Sequence, residues 1–189
     1  PSSTSRRKRG RLIMLKHLLG LREKPNTGRD AYGHAVARAR AREFYLDHGV
    51  DDRIDARFEL YTLHVLLLVL RLRDEDTPDA RDTAQDLFDT YVSALDNALR
   101  ELGVGDVEVS KKMRKLGEAL YGRMQAYETP LRAGDAEGLS GALDRNVYAH
   151  KGGDHAVWLA GYALDCRKRL AAQDVISCLK SPDWAEVSV

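Results

Sequence analysis

Residues 58–73 read FELYTLHVLLLVLRLR and form the most apolar passage of the chain. Such a passage is typical of a membrane span, of a helix that holds a cofactor, or of the central helix of a globular core. Its uncharged run covers only the eleven residues from Leu60 to Leu70 and is closed by Glu59 and Arg71. A helix that crosses a bilayer needs about 20 mostly apolar residues. The passage is therefore predicted to be a buried core helix.

The composition around this passage is that of one globular domain. The chain has 189 residues, of which 43% are hydrophobic and 31% are charged, enough to bury a core without disulfides or metals. The only cysteines, Cys166 and Cys178, are too few for a disulfide framework and indicate reduced residues of a cytosolic type of compartment.

Apolar residues recur at helical spacing along most of the chain, and no segment alternates apolar and polar residues over strand length. Helices are predicted at about 30–48, 53–75, 77–102, 110–131, 135–149 and 154–172, with a short turn at 175–179. We expect an all-α, single-domain helical bundle of about six to seven helices around the central apolar helix. Residues 1–29 form a basic and amphipathic N-terminal arm, residues 30–180 the bundle, and residues 181–189 a C-terminal tail.

The charge of the chain is unevenly distributed. The net charge is +1, yet residues 1–42 carry a balance of +10, so the remainder is strongly acidic. The arm combines its basic residues with leucines 12, 15, 18 and 19, which share one helical face. This pattern favours contact with RNA phosphates or anionic lipid headgroups; the alternative is a disordered lead followed by a helix that docks on the bundle. The candidate contacts are Arg6, Arg7, Lys8, Arg9, Arg11 and Lys16.

His64 is set among leucines in the central helix. A lone histidine in such a place is usually a core residue that is hydrogen-bonded to a neighbour. The alternative is a haem ligand, with Met113 or Met124 opposite, but no CxxCH motif accompanies it. We therefore expect neither a cofactor nor a metal at this position.

An acidic cluster follows the central helix and offers the one enzymatic interpretation. Asp74, Asp76, Asp79 and Asp82 carry the oxygen ligands that suit magnesium, as in all-α prenyl-transferring enzymes. However, the acids continue along one helix face, which is typical of a solvated surface, and no second acidic cluster or catalytic motif is present. The chain is predicted not to be an enzyme.

Tyrosines and arginines lie close together in two further tracts. Tyr121, Arg123 and Tyr127 fall within two turns of one predicted helix, and Arg145 and Asn146 lie on the next. Such residues can form a polar network that clamps these two helices together. Alternatively, they line a groove that binds a partner, for which tyrosine and arginine are favoured.

Three tracts together carry a resemblance to a known family. FELYTLHVLLLVLRLR, VSKKMRKLGEALYGRMQAYETPL and LSGALDRNVYA resemble the ubiquinol–cytochrome c chaperone family, whose members are assembly factors for ubiquinol–cytochrome c reductase. The resemblance covers about residues 40–150 in the family's order. The short chain without a eukaryotic targeting segment looks like a bacterial member.

The resemblance implies a non-enzymatic, all-α protein that binds newly made cytochrome b and is cytoplasmic, with peripheral association to the inner membrane. It further implies contact with the ribosome exit region and with a small partner protein, while contact with an anionic membrane surface is expected from the basic arm. The motif positions that correspond are Leu63, His64, Tyr121, Arg123, Tyr127, Arg145 and Asn146, which we take as candidate partner-binding residues. The alternatives are the magnesium-dependent enzyme described above and an RNA- or ribosome-binding protein that acts through the basic arm.

Overall fold

The structure, a computed structural model, describes residues 27–101 and 106–187, without the side chains of residues 99 and 106–116. The candidate contacts of the arm, from Arg6 to Lys16, lie outside the described residues. Within the described ranges the chain forms seven helices of six residues or more and one single turn, with no strand. They are α1 (Thr27–Ala39), α2 (Glu43–Leu46), α3 (Ile54–Glu75), α4 (Pro78–Glu101), α5 (Asp106–Ala133), α6 (Ala136–Asn146), α7 (Asp154–Ala172) and α8 (Val175–Lys180). The predicted all-α fold is confirmed.

The apolar passage forms most of α3 and lies at the centre of the bundle. Helices α1, α4, α5, α7 and α8 all pack against α3. Every residue from Thr62 to Leu72 is buried, as expected for a helix that is apolar on all sides. Each fully buried leucine contributes about 1.5–3 kcal/mol of transfer free energy. The central position of this helix is therefore explained by its sequence alone.

The first predicted helix was too long, because the chain leaves α1 after Ala39 and forms the separate turn α2. The interruption lets the fully buried Phe44 enter the core, with its ring centroid 5.6 Å from that of His64. The Tyr45 hydroxyl donates to the carbonyl of Ala39, at 2.9 Å, which satisfies one of the acceptors left by the end of α1. Gly49, which directly follows the predicted helix 30–48, has a φ of 64°.

Helix α5 begins at Asp106 rather than at about residue 110, so this predicted start was wrong. The starts of α3, α4, α6, α7 and α8 agree with the predicted starts to within one residue. Thr77 caps α4 by accepting a hydrogen bond from the amide of Ala80 at 3.2 Å. Asp135 caps α6 by accepting one from the amide of Gly138 at 2.9 Å.

The segment after α8 packs into the core. Ala185 and Val187 are each only 3% exposed. Arg38 of α1 donates to the carbonyl of Ala185, and Nε2 of His48 donates to the carbonyl of Val187 at 2.9 Å. Residues 183–187 thus close the bundle over α1 and α2.

Candidate functional site

The spacing of tyrosine and arginine in α5 places two side chains on one carboxylate of the central helix. Arg123 donates from Nε to one oxygen of Glu59, and the hydroxyl of Tyr127 donates to the other oxygen at 3.1 Å. Glu59 is only 2% exposed and Tyr127 is fully buried. The guanidinium of Arg123 also lies over the ring of Phe58, 5.9 Å from its centroid. These contacts hold α5 against α3.

Burial dominates the electrostatics of this cluster. It raises the pKa of Glu59, although the Arg123 guanidinium opposes the change and favours the ionised form. Burial likewise raises the pKa of Tyr127, which therefore remains a hydrogen-bond donor. A buried carboxylate is tolerated only where charged or polar partners satisfy it. The cluster is thus a structural network whose atoms are already paired with one another.

The helices that this network joins are not those that the predicted clamp would join. We expected the tyrosines and arginines of α5 to bond mainly to α6, whereas Arg123 and Tyr127 bond to Glu59 of α3. Only Tyr127 reaches α6 as well, through a side-chain hydrogen bond with Asn146. Glu59 was not predicted to belong to this network, because in the sequence it only marks the charged boundary of the apolar run. Its position one turn before Leu63, on a helix that is otherwise buried, could have indicated that its carboxylate is buried and needs polar partners.

The opposite side of α5 forms a groove with α6. The groove has a volume of about 440 Å³ and is lined mainly by small residues. Gly122 and Ala126 lie one turn apart on α5, and Gly138 and Ala142 lie one turn apart on α6. Small residues at the spacing of Gly122 and Ala126 let the backbone of another helix approach closely, whereas the side chain of Asp135 already covers Gly138. The complete lining is Gly122, Gln125, Ala126, Thr129, Pro130, Ala133, Asp135, Gly138, Ala142 and Arg145.

One of the predicted partner-binding residues lines this groove, and a second lies on the neighbouring surface of α5. Arg145 is exposed and lines it. Tyr121 is 73% exposed and lies one turn before Gln125, on the same side of α5. A Cβ atom placed on Gly122 would meet nothing within 4 Å, so the groove is open at this point of α5. Exposed tyrosine and arginine beside an open groove are the residues that most often anchor a protein partner.

The remaining predicted positions lie in the core. Leu63 and His64 are fully buried. Nδ1 of His64 is 2.7 Å from the carbonyl oxygen of Leu60, and Nε2 is 2.8 Å from the hydroxyl of Tyr162. Both ring nitrogens therefore have protein partners, and neither is left to bind a haem iron. In this structure Leu63 and His64 can influence a partner only through the residues that they support.

The acidic cluster at the end of α3 is engaged in ion pairs. Asp74 accepts hydrogen bonds from Arg132, at 2.9 Å, and from Arg167. Burial alone would raise the pKa of Asp74, but the hydrogen bonds from these two arginines lower it overall. Asp76 pairs with Arg81. Among the described residues, no group of three or more His, Cys, Asp or Glu side chains is arranged to hold a metal ion.

Comparison with known proteins gives a consistent result. The family model described as Ubiquinol-cytochrome C chaperone matches residues 46–180. Among solved structures, the chain is similar to the crystal structure of the Cbp3 homolog from Brucella abortus. The two share 32% sequence identity with a TM-score of 0.79, and the match covers 93% of this chain and 97% of the other. A search of curated proteins found no match. None of the described helices is long and apolar enough to cross a membrane.

The matched region contains the central helix, the Glu59 network and the groove between α5 and α6. It also extends about 30 residues beyond the resemblance seen in the three tracts, to the end of α8. The chain therefore belongs to the ubiquinol–cytochrome c chaperone family.

Proposed function

We propose that this protein binds newly made cytochrome b during biogenesis of ubiquinol–cytochrome c reductase, and that the groove between α5 and α6 receives an apolar helix of that client. Membership of the family supports a role as an assembly chaperone, and it suggests a role without catalysis. The observation that supports this binding site is the open groove that Arg145 lines, with the exposed Tyr121 one turn before its lining residue Gln125.

The shape of the groove suits a membrane protein before insertion. Such a client presents apolar helices to water, and a helix can pack closely only where the receiving surface is small and smooth. Gly122 and Ala126 of α5, together with Ala142 of α6, provide that surface. The groove is an open depression that can receive a helix, rather than an enclosed cavity for a small molecule.

The network behind the groove would keep it in shape. Arg123 and Tyr127 fix α5 to Glu59 on the buried side, while Gly122 and Ala126 face the groove on the other. A binding surface that is held in place loses less conformational entropy when the partner binds. We therefore assign Arg123, Tyr127 and Asn146 a supporting role, and Tyr121 and Arg145 direct contact with the client.

The basic arm completes the proposal. Its cationic residues would hold the protein at the anionic surface of the inner membrane, where the client is inserted. We also propose contact with the ribosome exit region and with a small partner protein. The residues concerned are Arg6, Arg7, Lys8, Arg9, Arg11 and Lys16.

The direct test places a photoactivatable crosslinking residue at Tyr121 in the tagged full-length chain. After irradiation of growing cells, the membrane fraction is solubilised and crosslinked products are identified by mass spectrometry. We expect cytochrome b among the products, and more of it during active translation. The matched control carries the same residue at Val157, which is also exposed, at 62%, but lies on α7. Equal recovery of cytochrome b from both positions, or none from Tyr121, would contradict the proposal.

A further inference from the structure

A second groove lies between α1 and α8, at the place where the described chain begins. Its volume is about 760 Å³. Ile176 lies in it with 67% of its surface exposed, next to the largely buried Leu179. A Cβ atom placed on Gly33 would meet nothing within 4 Å, so the α1 side of the groove is open. The full lining is Thr27, Arg29, Asp30, Gly33, His34, Ile176, Leu179 and Lys180.

The chain that leads into this groove carries an apolar face of its own. Thr27 is both the first described residue and part of the lining. Residues 12–21, just before it, read LIMLKHLLGL. The leucines at positions 12, 15, 18 and 19 share one face at helical spacing, while Lys16 and His17 fall elsewhere. An apolar groove and a sequence whose leucines share one helical face thus adjoin each other in the chain.

We propose that residues 12–21 dock in the groove between α1 and α8, with their leucine face against Ile176 and Leu179. The occupant is a segment of the same chain, and the position of Thr27 in the lining is what selects it over a separate protein.

The length of the connection permits this docking. Residues 22–26 can span up to about 17 Å when extended. The α1 side of the groove, from Thr27 to Gly33, is only about 9 Å long at the helical rise. Pro25 favours a break in the helix that would let the chain turn back over α1. A tether this short gives an effective concentration in the millimolar range, so that even a weak apolar contact is occupied.

Docking of this kind would control when the arm is available. The leucine face can lie either against Ile176 or in the interface of a lipid bilayer, because both environments bury the same side chains. An anionic surface that attracts the basic residues of the arm would compete with the groove. The arm would therefore be held on the bundle until such a surface releases it. This inference is independent of which client the other groove binds.

The test measures whether position 176 is covered in the full-length chain. Ile176→Cys and, in a separate chain, Leu46→Cys are treated with a maleimide, and the labelling rates are followed by mass spectrometry. Leu46 is a suitable reference because it is 69% exposed, and the native Cys166 and Cys178 are buried. We expect Ile176→Cys to react about tenfold more slowly than Leu46→Cys, as a docked population of about 90% would require.

A second substitution then identifies the occupant. Leu15→Asp removes the apolar face and should bring the two labelling rates together, whereas His17→Asp adds an acid outside that face and should change neither rate. A rate at Ile176→Cys that does not respond to Leu15→Asp would overturn the proposal. Protection that increases with protein concentration would also overturn it, because it would identify a second copy of the chain as the occupant. The assay contains no client, so its outcome does not bear on the proposed function, which the crosslinking experiment tests separately.

Discussion

Tyr162 donates its phenolic hydrogen to Nε2 of His64, across 2.8 Å at the centre of the bundle. The direction of this bond follows from which of the two ring nitrogens of His64 carries the hydrogen. Nδ1 of His64 lies 2.7 Å from the carbonyl oxygen of Leu60, which can only accept, so Nδ1 carries the hydrogen of the neutral ring. The Tyr162 oxygen in turn accepts from Nε of Arg38 at 3.0 Å. A chain of aligned bonds therefore joins α1, α7 and α3 through a neutral histidine.

The neutral state of His64 predicts a loss of stability in acid. Burial lowers the pKa of His64 from 6.5 to about 4. The contribution of the neutral ring is therefore complete above pH 6.5 and is lost as the pH falls towards 4. We expect the free energy of unfolding to fall by about 2 kcal/mol between pH 7 and pH 5 from this residue alone.

Urea titrations at the two pH values test this prediction. His64→Gln should be less stable than the parent at pH 7 but should lack this part of the decline. His150→Gln is the control, because the side chain of His150 is 70% exposed; it should keep the parent's pH dependence. An unchanged decline in His64→Gln would show that another group is responsible.

Arg123 is expected to stabilise the fold, and Arg145 is not. Arg123→Ala leaves Glu59 buried without its cationic partner and should cost about 2 kcal/mol, a value reduced because Arg123 itself is partly exposed. Arg145→Ala changes an exposed residue and should stay within about 0.5 kcal/mol. Denaturant unfolding compares the two variants.

A second substitution locates the cause of the Arg123 effect. Glu59→Gln combined with Arg123→Ala should cost less than the two single changes added together, since the unpaired charge is gone. Simple additivity would mean that the two side chains do not interact in solution.

The groove between α5 and α6 can be filled without disturbing the fold. A Cβ atom would meet nothing within 4 Å at either Gly122 or Gly161, and both are helical. Replacing a helix-interior glycine by leucine should raise stability by up to about 1 kcal/mol in each case. Gly122→Leu should nevertheless reduce the recovery of cytochrome b with the tagged chain, and Gly161→Leu should not.

This pair separates binding from folding, since a more stable variant that loses its client cannot have lost it by unfolding. Thermal melts and client recovery are measured on the same preparations. Normal recovery with Gly122→Leu would remove the groove from the proposed function.

The aspartates after α3 are expected to behave as structural and surface residues. Asp74→Asn weakens the pairs with Arg132 and Arg167 and should cost about 1 kcal/mol. Asp79→Asn alters an exposed residue on α4 and should stay within about 0.5 kcal/mol. Millimolar magnesium should leave the thermal midpoint of the parent unchanged. A rise in that midpoint that disappears in Asp79→Asn would instead support the magnesium-dependent alternative.

Much of the fold follows from the sequence because the helices are separated by strong local signals. Thr77 with Pro78 and Asp135 before α6 mark helix starts through their own side chains or ring. The break after Ala39 has no such signal, since alanine and arginine both favour a continued helix. It is stabilised by the burial of Phe44 beside His64, a tertiary contact that periodicity does not contain.

The site could be predicted only in part for the same reason. The spacing of Tyr121, Arg123 and Tyr127 shows that they lie on one helix, but not which of them faces the core. Glu59 decides this, because its buried carboxylate draws Arg123 and Tyr127 inwards and leaves Tyr121 outside. That choice depends on two helices meeting 64 residues apart in sequence.

The closure of the bundle by residues 183–187 means that the unit of family similarity is smaller than the unit that folds. The family match runs from 46 to 180, yet Phe44 and Val187 are both buried in the same core. A recombinant fragment cut at the limits of the match would lack α1 as well as the segment that covers it, and would expose the apolar surface on which both pack. The contact between Arg38 and Ala185 spans 147 residues. Nearly the whole described chain must therefore be present before the core is fully shielded from water.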